Sequence, residues 1–335
     1  MSISELWNEL EHDIQPNKSG YLTRRVKPDS FCDLCIAVIE PQGIRTLLLR
    51  VSRRVAEFIR EYPKSEGFQV QLVRLPRDSQ DYVTIQLTLT QTRYSDIFTA
   101  LVEDVILGVS EKATEETGLE EFVVRLKRWQ AFLKVNAPDG LSEIAQQGLY
   151  GELWFLRQVV FPNLESVKGI RCWTGPKATQ QDFQFPGCAV EVKTTSSKQH
   201  QTLSISSERQ LDDTGIGTIV LLHLSLDLRQ EQGEKLPEIV ASVRSLVAHD
   251  AIAKDELENL LFEVGYLDIH ATRYEKTGYI IREHNYFKVG TGFPRIIESD
   301  LRNGIGDVRY TISVAECKRF SIAELEVIAL IGGQG

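Results

Sequence analysis

The chain contains no apolar run approaching the roughly 20 residues needed to cross a bilayer, and its opening, MSISELWNELEHDI, carries charges where a signal peptide has its apolar stretch. A cytoplasmic protein is expected. The five cysteines are odd in number and scattered, which suits a reducing compartment better than a disulfide framework. Cys32 and Cys35 form a CxxC, but no second pair follows and positions i and i+3 of a strand face opposite ways, so neither zinc nor redox chemistry is supported. The six histidines show no metal-ligand spacing, and His223 within TIVLLHLSL reads as a core or sheet-face residue. No phosphate-cradling GxxxxGK[ST] is present, so any ATP hydrolysis belongs to a partner. A basic surplus is also missing: 38 Lys+Arg against 47 Asp+Glu leave a charge of -9, which excludes a protein that grips nucleic acid by charge alone.

What remains is an ordinary globular composition, 335 residues with 42% hydrophobic and 25% charged, enough to bury a sizeable core. Ile3, Leu6, Trp7, Leu10 and Ile14 share a helical face, with Ser2 and Glu5 at capping-box spacing. From Phe31 to about Leu89 short β-rich runs (LCIAVIE, RTLLLRV, FQVQLVRL, YVTIQLTLT) alternate with turn residues, and two helices follow over 95–134. NAPDG at 136–140 breaks the pattern, which divides the chain into a β-rich unit, 1–138, and a second unit, 139–335. In the second, helices (142–160, 236–248, 254–264, and a terminal one capped at Ser321) interleave with strands (181–195, 218–228, 278–289, 305–315), an α/β pattern.

The most informative stretch is QQDFQFPGCAVEVKTT, residues 180–195. A hairpin turning at Pro186-Gly187 pairs Phe185 with Cys188, Gln184 with Ala189, Phe183 with Val190 and Asp182 with Glu191. The pleat then puts Phe183, Phe185, Cys188, Val190 and Val192 on one apolar face, and Asp182, Gln184, Ala189, Glu191 and Lys193 on the other. Two carboxylates held that close repel, and a shared hard cation such as Mg²⁺ offsets the repulsion. A solvated cross-strand salt-bridge cluster is the alternative reading. Upstream, Gly148 and Gly151 surround Glu152 in GLYGELWFL; two glycines inside a helix point to close approach by a strand or ligand.

Taken together, GLYGELWFL, WTGP, QQDFQF, VEVKTT and ISSERQL resemble the PD-(D/E)XK nuclease superfamily, and in particular the PD-(D/E)XK family of unknown function found among bacterial restriction and phage-defence genes. The resemblance implies a restriction-endonuclease-like α/β (α+β) core, a central mixed sheet flanked by helices, with the β-rich unit in front. It implies a Mg²⁺-dependent endonuclease acting on double-stranded DNA, with Mn²⁺ as substitute. Asp182 and Glu191 match the motif acids as metal ligands, the Val192 carbonyl adds a further ligand, and Glu152 matches the helix acid. Lys193 matches the lysine that positions or polarises the attacking water. Gln181 departs from the motif's proline. Relatives that cut as dimers or within complexes imply a homodimer or companion defence proteins, including an ATPase.

The alternative is a silent nuclease-fold subunit that serves DNA binding or assembly. Gln199 or Gln201 extends the site, and Ser207 with Gln210 sets a helix N-terminus suited to phosphate. The average charge hides unlike segments: residues 15–60 carry nine Lys/Arg against four acids, and 95–125 eight acids against two bases. Arg24, Arg25, Arg53 and Arg54 in the basic segment are the candidate duplex-docking residues, with an ordinary solvated surface as the alternative.

Overall fold

A computed structural model describes residues 2–76, 78–177 and 179–332. The chain forms two compact units, residues 1–139 and 140–335. Among the described residues no helix is long and apolar enough to cross a membrane.

The first unit opens with α1 (Ile3–His12), which is capped by the expected reciprocal bonds between Ser2 and Glu5 and buries Trp7 and Leu10. Five antiparallel strands follow: β1 (Gly20–Val26), β2 (Asp33–Glu40), β3 (Ile44–Ser52), β4 (Phe68–Val73) and β5 (Tyr82–Leu89), in the order β1-β2-β3-β5-β4. Only β1 has no counterpart among the strands read from sequence. It is an edge strand whose Arg24 and Arg25 are exposed, so it lacks the apolar alternation that marks the others. A short turn of helix, α2 (Arg53–Ala56), and the helices α3 (Ser95–Ser110) and α4 (Glu115–Val135) complete the unit.

In the second unit, α5 (Glu143–Phe155) passes into a π-helical turn at Leu156–Val160 and then α6 (Phe161–Asn163), where a single helix over 142–160 is expected from periodicity. Pro162 has no N–H to continue the i−4 ladder, and the wider turn lies just before it. After α7 (Ser166–Cys172) come β6 (Phe183–Phe185), β7 (Cys188–Thr195), β8 (Thr202–Ile205) and β9 (Thr218–Arg229). Next are β10 (Glu234–Lys235), α8 (Leu236–Val247), α9 (Ala251–Glu263), α10 (Ala271–Tyr274) and β11 (Gly278–Val289). The chain ends with β12 (Tyr310–Ser313), α11 (Val314–Cys317), β13 (Ser321–Ile322) and α12 (Glu324–Ile331). Ser321 does not cap the last helix. Its backbone is drawn into the sheet opposite Phe287, and Glu326 closes the helix start on the Ala323 N–H instead.

The central sheet runs β10-β11-β9-β7-β6, with β13 on β11; β7 and β9 are parallel and the other neighbours antiparallel. This is the mixed sheet of an α+β nuclease-like fold. The hairpin keeps the expected register, Phe183 to Val190, Gln184 to Ala189 and Phe185 to Cys188. Pro186 and Gly187 manage it as a tight turn because Gly187 adopts φ 76°, the left-handed value required after proline in a type II turn. One sheet face buries Phe183, Val190, Val192, Leu222 and Leu224 against α5 and α8. The other begins as a second apolar cluster around Ala189, Ile219, Leu221 and Phe287 and turns polar at Glu191.

The two glycines of α5 differ. A Cβ on Gly151 would meet Thr194 Cγ2 at 2.6 Å, whereas one on Gly148 would meet nothing within 4 Å. Gly151 thus lets α5 settle on β7, and Gly148 only weakens the helix. Gly148→Ala is expected to raise the unfolding free energy read from urea titration by up to about 1 kcal/mol, and Gly151→Ala to lower it by about 1–2 kcal/mol once the gain in helix propensity is offset by overpacking. Equal shifts in the same direction would show that strand contact does not decide the Gly151 position.

Candidate active site

The acidic site forms where α5 crosses the β6–β7 hairpin. Trp173 is fully buried, and its indole N–H donates to Glu152 Oε2 at 2.7 Å, which fixes the Glu152 carboxyl. The next two residues, Thr174 and Gly175, donate their backbone N–H groups to the Asp182 carbonyl at 2.8 and 2.9 Å. Asp182 lies just ahead of β6 rather than within it, so it does not extend the ladder opposite Glu191. Instead its Oδ2 accepts the Val192 N–H at 2.7 Å, a bond available because β6 stops short of that position. A Cβ on Gly175 would stand 2.8 Å from Glu152 Oε2 and 3.0 Å from Asp182 Oδ1. The two carboxylates therefore converge on a space that exists because residue 175 has no side chain.

Glu191 is 0% exposed in the middle of β7. Lys193 Nζ lies 2.7 Å from Glu191 Oε1, an ion-pair distance, and among the described residues neither Glu191 oxygen meets a donor in good hydrogen-bond alignment. Lys193 is held from its other side by Gln210 Oε1 at 3.1 Å, which also accepts from the Ser206 N–H at 2.9 Å. Gln210 is positioned in turn by Gln181, whose buried amide donates to the Arg209 carbonyl at 3.1 Å. The residue that replaces the motif's proline thus ties the lysine's second partner to the hairpin.

Burial first, then the charge of Asp182, holds Glu191 up at about 8. Burial and then Asp182 raise Glu152 well above the ordinary carboxyl range, while the Trp173 bond pulls it back. Asp182 is raised by burial against the opposing pull of the Val192 N–H. For Lys193 burial works downward, but Glu191, Asp182 and Glu152 outweigh it and the ammonium is favoured. On the neighbouring strand β9, His223 is paired in register with Lys193; burial pushes it down to about 4, and its Nε2 is 2.8 Å from Thr195 Oγ1. It is a neutral sheet-face residue.

Among the described residues no three His, Cys, Asp or Glu side chains form a group that by itself could hold a metal ion. A hard divalent ion does not require one, because Mg²⁺ is commonly held by one or two carboxylates completed by water and phosphate oxygens. The residues present fit such an ion on two counts. Glu191 carries buried, incompletely satisfied oxygens, and Glu152 and Asp182 aim oxygens at the Gly175 cradle. Val192 contributes a backbone group on the Asp182 side of β7.

The remaining candidates are arranged differently. Ser207 caps one 3-10 turn, Glu208–Leu211, rather than the α-helix that its spacing suggests, and accepts the Arg209 N–H at 3.2 Å. In the first unit Arg24 lies 3.8 Å from Asp13, Arg25 3.2 Å from Asp33 and Arg54 3.8 Å from Glu116, while Arg53 makes no ion pair among the described residues. Arg54–Glu116 alone of these pairs joins the basic segment to the acidic one; Arg24 and Arg25 meet acids outside it. Trp173, Gly175 and Gln181 are the site residues that the motif reading leaves without a role. The WTGP segment contained the signal for Trp173, since a tryptophan destined for a core needs an acceptor for its indole N–H.

Replacing Glu152 by glutamine keeps an acceptor for the indole and removes a charge from the cradle. Below the ordinary 4.5, Glu152 is neutral in folded and unfolded chains alike, so wild type and Glu152→Gln should melt together. As pH rises above that value the unfolded chain ionises freely and the folded one resists, so wild type loses stability that the variant keeps. Thermal melts in metal-free buffer from pH 4.5 to 8 should show the variant gaining steadily. A difference independent of pH would rule out carboxylate repulsion as the cause.

Residues 3–315 match the family described as "Putative PD-(D/E)XK family member (DUF4420)". No curated protein and no solved structure matches the chain.

Proposed function

Because the chain belongs to this PD-(D/E)XK family, we propose that it is a metal-dependent endonuclease that hydrolyses phosphodiester bonds of double-stranded DNA, with Mg²⁺ as the working ion and Mn²⁺ as a substitute. The observation that carries this reading is that Glu152 and Asp182 converge on the Gly175 cradle while the buried Glu191 stands in the same site beside a lysine that Glu191 and Gln210 hold.

Asp182, Glu191, Glu152 and the Val192 carbonyl are the groups that would hold the ion. When bound, a divalent ion supplies charge neutralisation and a more acidic water. The other steps fall to the chain. Burial around Glu191 excludes bulk water and strengthens each electrostatic contact. Lys193, kept protonated by its acidic neighbours, offers N–H donors to an attacking water or to a phosphate oxygen, and so orients rather than deprotonates. Gln210 leaves Lys193 little freedom to swing away.

The setting we propose is a bacterial restriction or anti-phage defence system in the cytoplasm, in which a two-strand cut uses two copies or companion proteins, an ATPase among them. A second reading, a nuclease-fold subunit with a silent site, draws on the Lys193–Glu191 ion pair, which already neutralises one ligand. Purified protein, alone and with the products of neighbouring genes, is expected to nick or cut duplex DNA with Mg²⁺ and not with EDTA, and the double variant Glu191→Ala, Lys193→Ala to lose at least about 100-fold in rate. Full cleavage by that variant would falsify the site. Absence of calorimetric Mg²⁺ binding that depends on Asp182 would favour the silent subunit.

A further inference from the structure

The sheet face that carries Glu191 continues past the acidic site. Its next rungs across β7, β9 and β11 are Lys193–His223–Asn285 and then Thr195–Ser225–Glu283. Beyond Thr195 opens a cavity of about 430 Å³, lined by Lys198, Gln199, His200, Gln201, Arg282 and Lys318 among others. Ser225 forms part of its wall, so the cavity begins two residues along from the level of Lys193, about 7 Å at strand rise.

Three permanent cations, Lys198, Arg282 and Lys318, face one carboxylate, Glu283, and none of the three makes an ion pair among the described residues. The wall is organised before any ligand arrives. A β-bulge between Ile281 and Glu283 re-aims Arg282, whose guanidinium donates to the Ser196 and Ser197 carbonyls at 2.8 and 3.1 Å and to that of Leu226. Gln201 bonds Ser225 Oγ at 2.7 Å and the Ser197 carbonyl at 3.0 Å. Between them His200 is held at φ 51°, a left-handed conformation that costs a β-carbon-bearing residue about 1–2 kcal/mol and persists only where its surroundings impose it. A cavity wall that carries Lys198, Lys318 and the carbonyl-anchored Arg282, three cations from three segments, is suited to an anion with several acceptor oxygens.

We propose that this cavity binds a backbone phosphate of a nucleic-acid strand, close along that strand from the bond held at Lys193. The register with Lys193 rests on the nuclease reading; the anion site itself does not. A phosphate there would fix the strand along the β7 direction and supply positive charge that the chain as a whole lacks.

The test is binding in EDTA, where nothing is cleaved. Anisotropy with a labelled duplex is followed against salt for wild type, for Lys198→Ala/Lys318→Ala, and for Lys254→Ala/Lys276→Ala, a charge-matched control on exposed lysines of the same unit. The pocket pair should weaken binding about tenfold or more at low salt and reduce the slope of log K against log salt by about two, with the control near wild type. Equal effects of the two pairs, or none from the pocket pair, would overturn the proposal. Displacement of the duplex by a nucleoside monophosphate as readily as by unlabelled duplex would assign the pocket to a free nucleotide and also overturn it. The nuclease reading fails separately: a protein that shows the pocket dependence but fails to cut with any divalent ion supplied loses the hydrolase assignment and keeps the phosphate site.

Discussion

Glu191 is an acid placed where a folded protein ordinarily puts valine: on a central strand, closed off from solvent, next to two further carboxyls. Such a group costs several kcal/mol unless it is protonated, paired or coordinated, and much of the surrounding architecture answers that cost. Lys193 is drawn in to pair with it, Gln210 is brought over to hold Lys193, and Gln181 is buried to hold the segment that bears Gln210. On the other flank, Trp173 restrains Glu152 and the Val192 N–H restrains Asp182, so that two carboxylates share the space above Gly175. Removing the charge at the centre would leave most of these partners without a task.

The same sheet face bears on how an acidic chain of net charge -9 would meet an anion under the proposed reading. Positive charge is not spread as a coat. In the first unit, arginines of the basic segment lie against acids, Arg45 on Glu11 and Arg50 on Asp78 as well as the pairs nearer the surface. In the second, Lys198, Arg282 and Lys318, which make no ion pair among the described residues, gather around the cavity past the end of β7 with one acid, Glu283, among them. Acids at the site and cations contributed by three segments beyond the end of β7 set up a gradient that, under the proposed reading, a polyanion would follow.

Much of this was legible from residue order. The hairpin register follows from its two flanking runs and turn, because a period of two leaves one way to bury Phe183, Phe185, Cys188 and Val190 together. The helix that carries Glu152 follows from its apolar stripe, and the close approach at Gly151 from the cost of glycine there. Less legible were contacts that depend on chain segments meeting from a distance. Gly148 and Gly151 look alike in sequence, and only Gly151 meets a strand. Ser207 and Gln210 have helix-capping spacing, yet Gln210 turns to Lys193 and Ser206 because a lysine beside a buried acid is the stronger attraction.

The sequence alone therefore determined the elements, the hairpin and its two faces, and the residue types able to hold a hard cation, since these depend on periodicity and local chemistry. Tertiary structure decided which acids share a space, that Asp182 leaves the ladder to take the Val192 N–H, that Gln181 serves as a strut, and where unpaired cations gather. Those outcomes depend on desolvation and on partners tens of residues apart, and neither is written in local order.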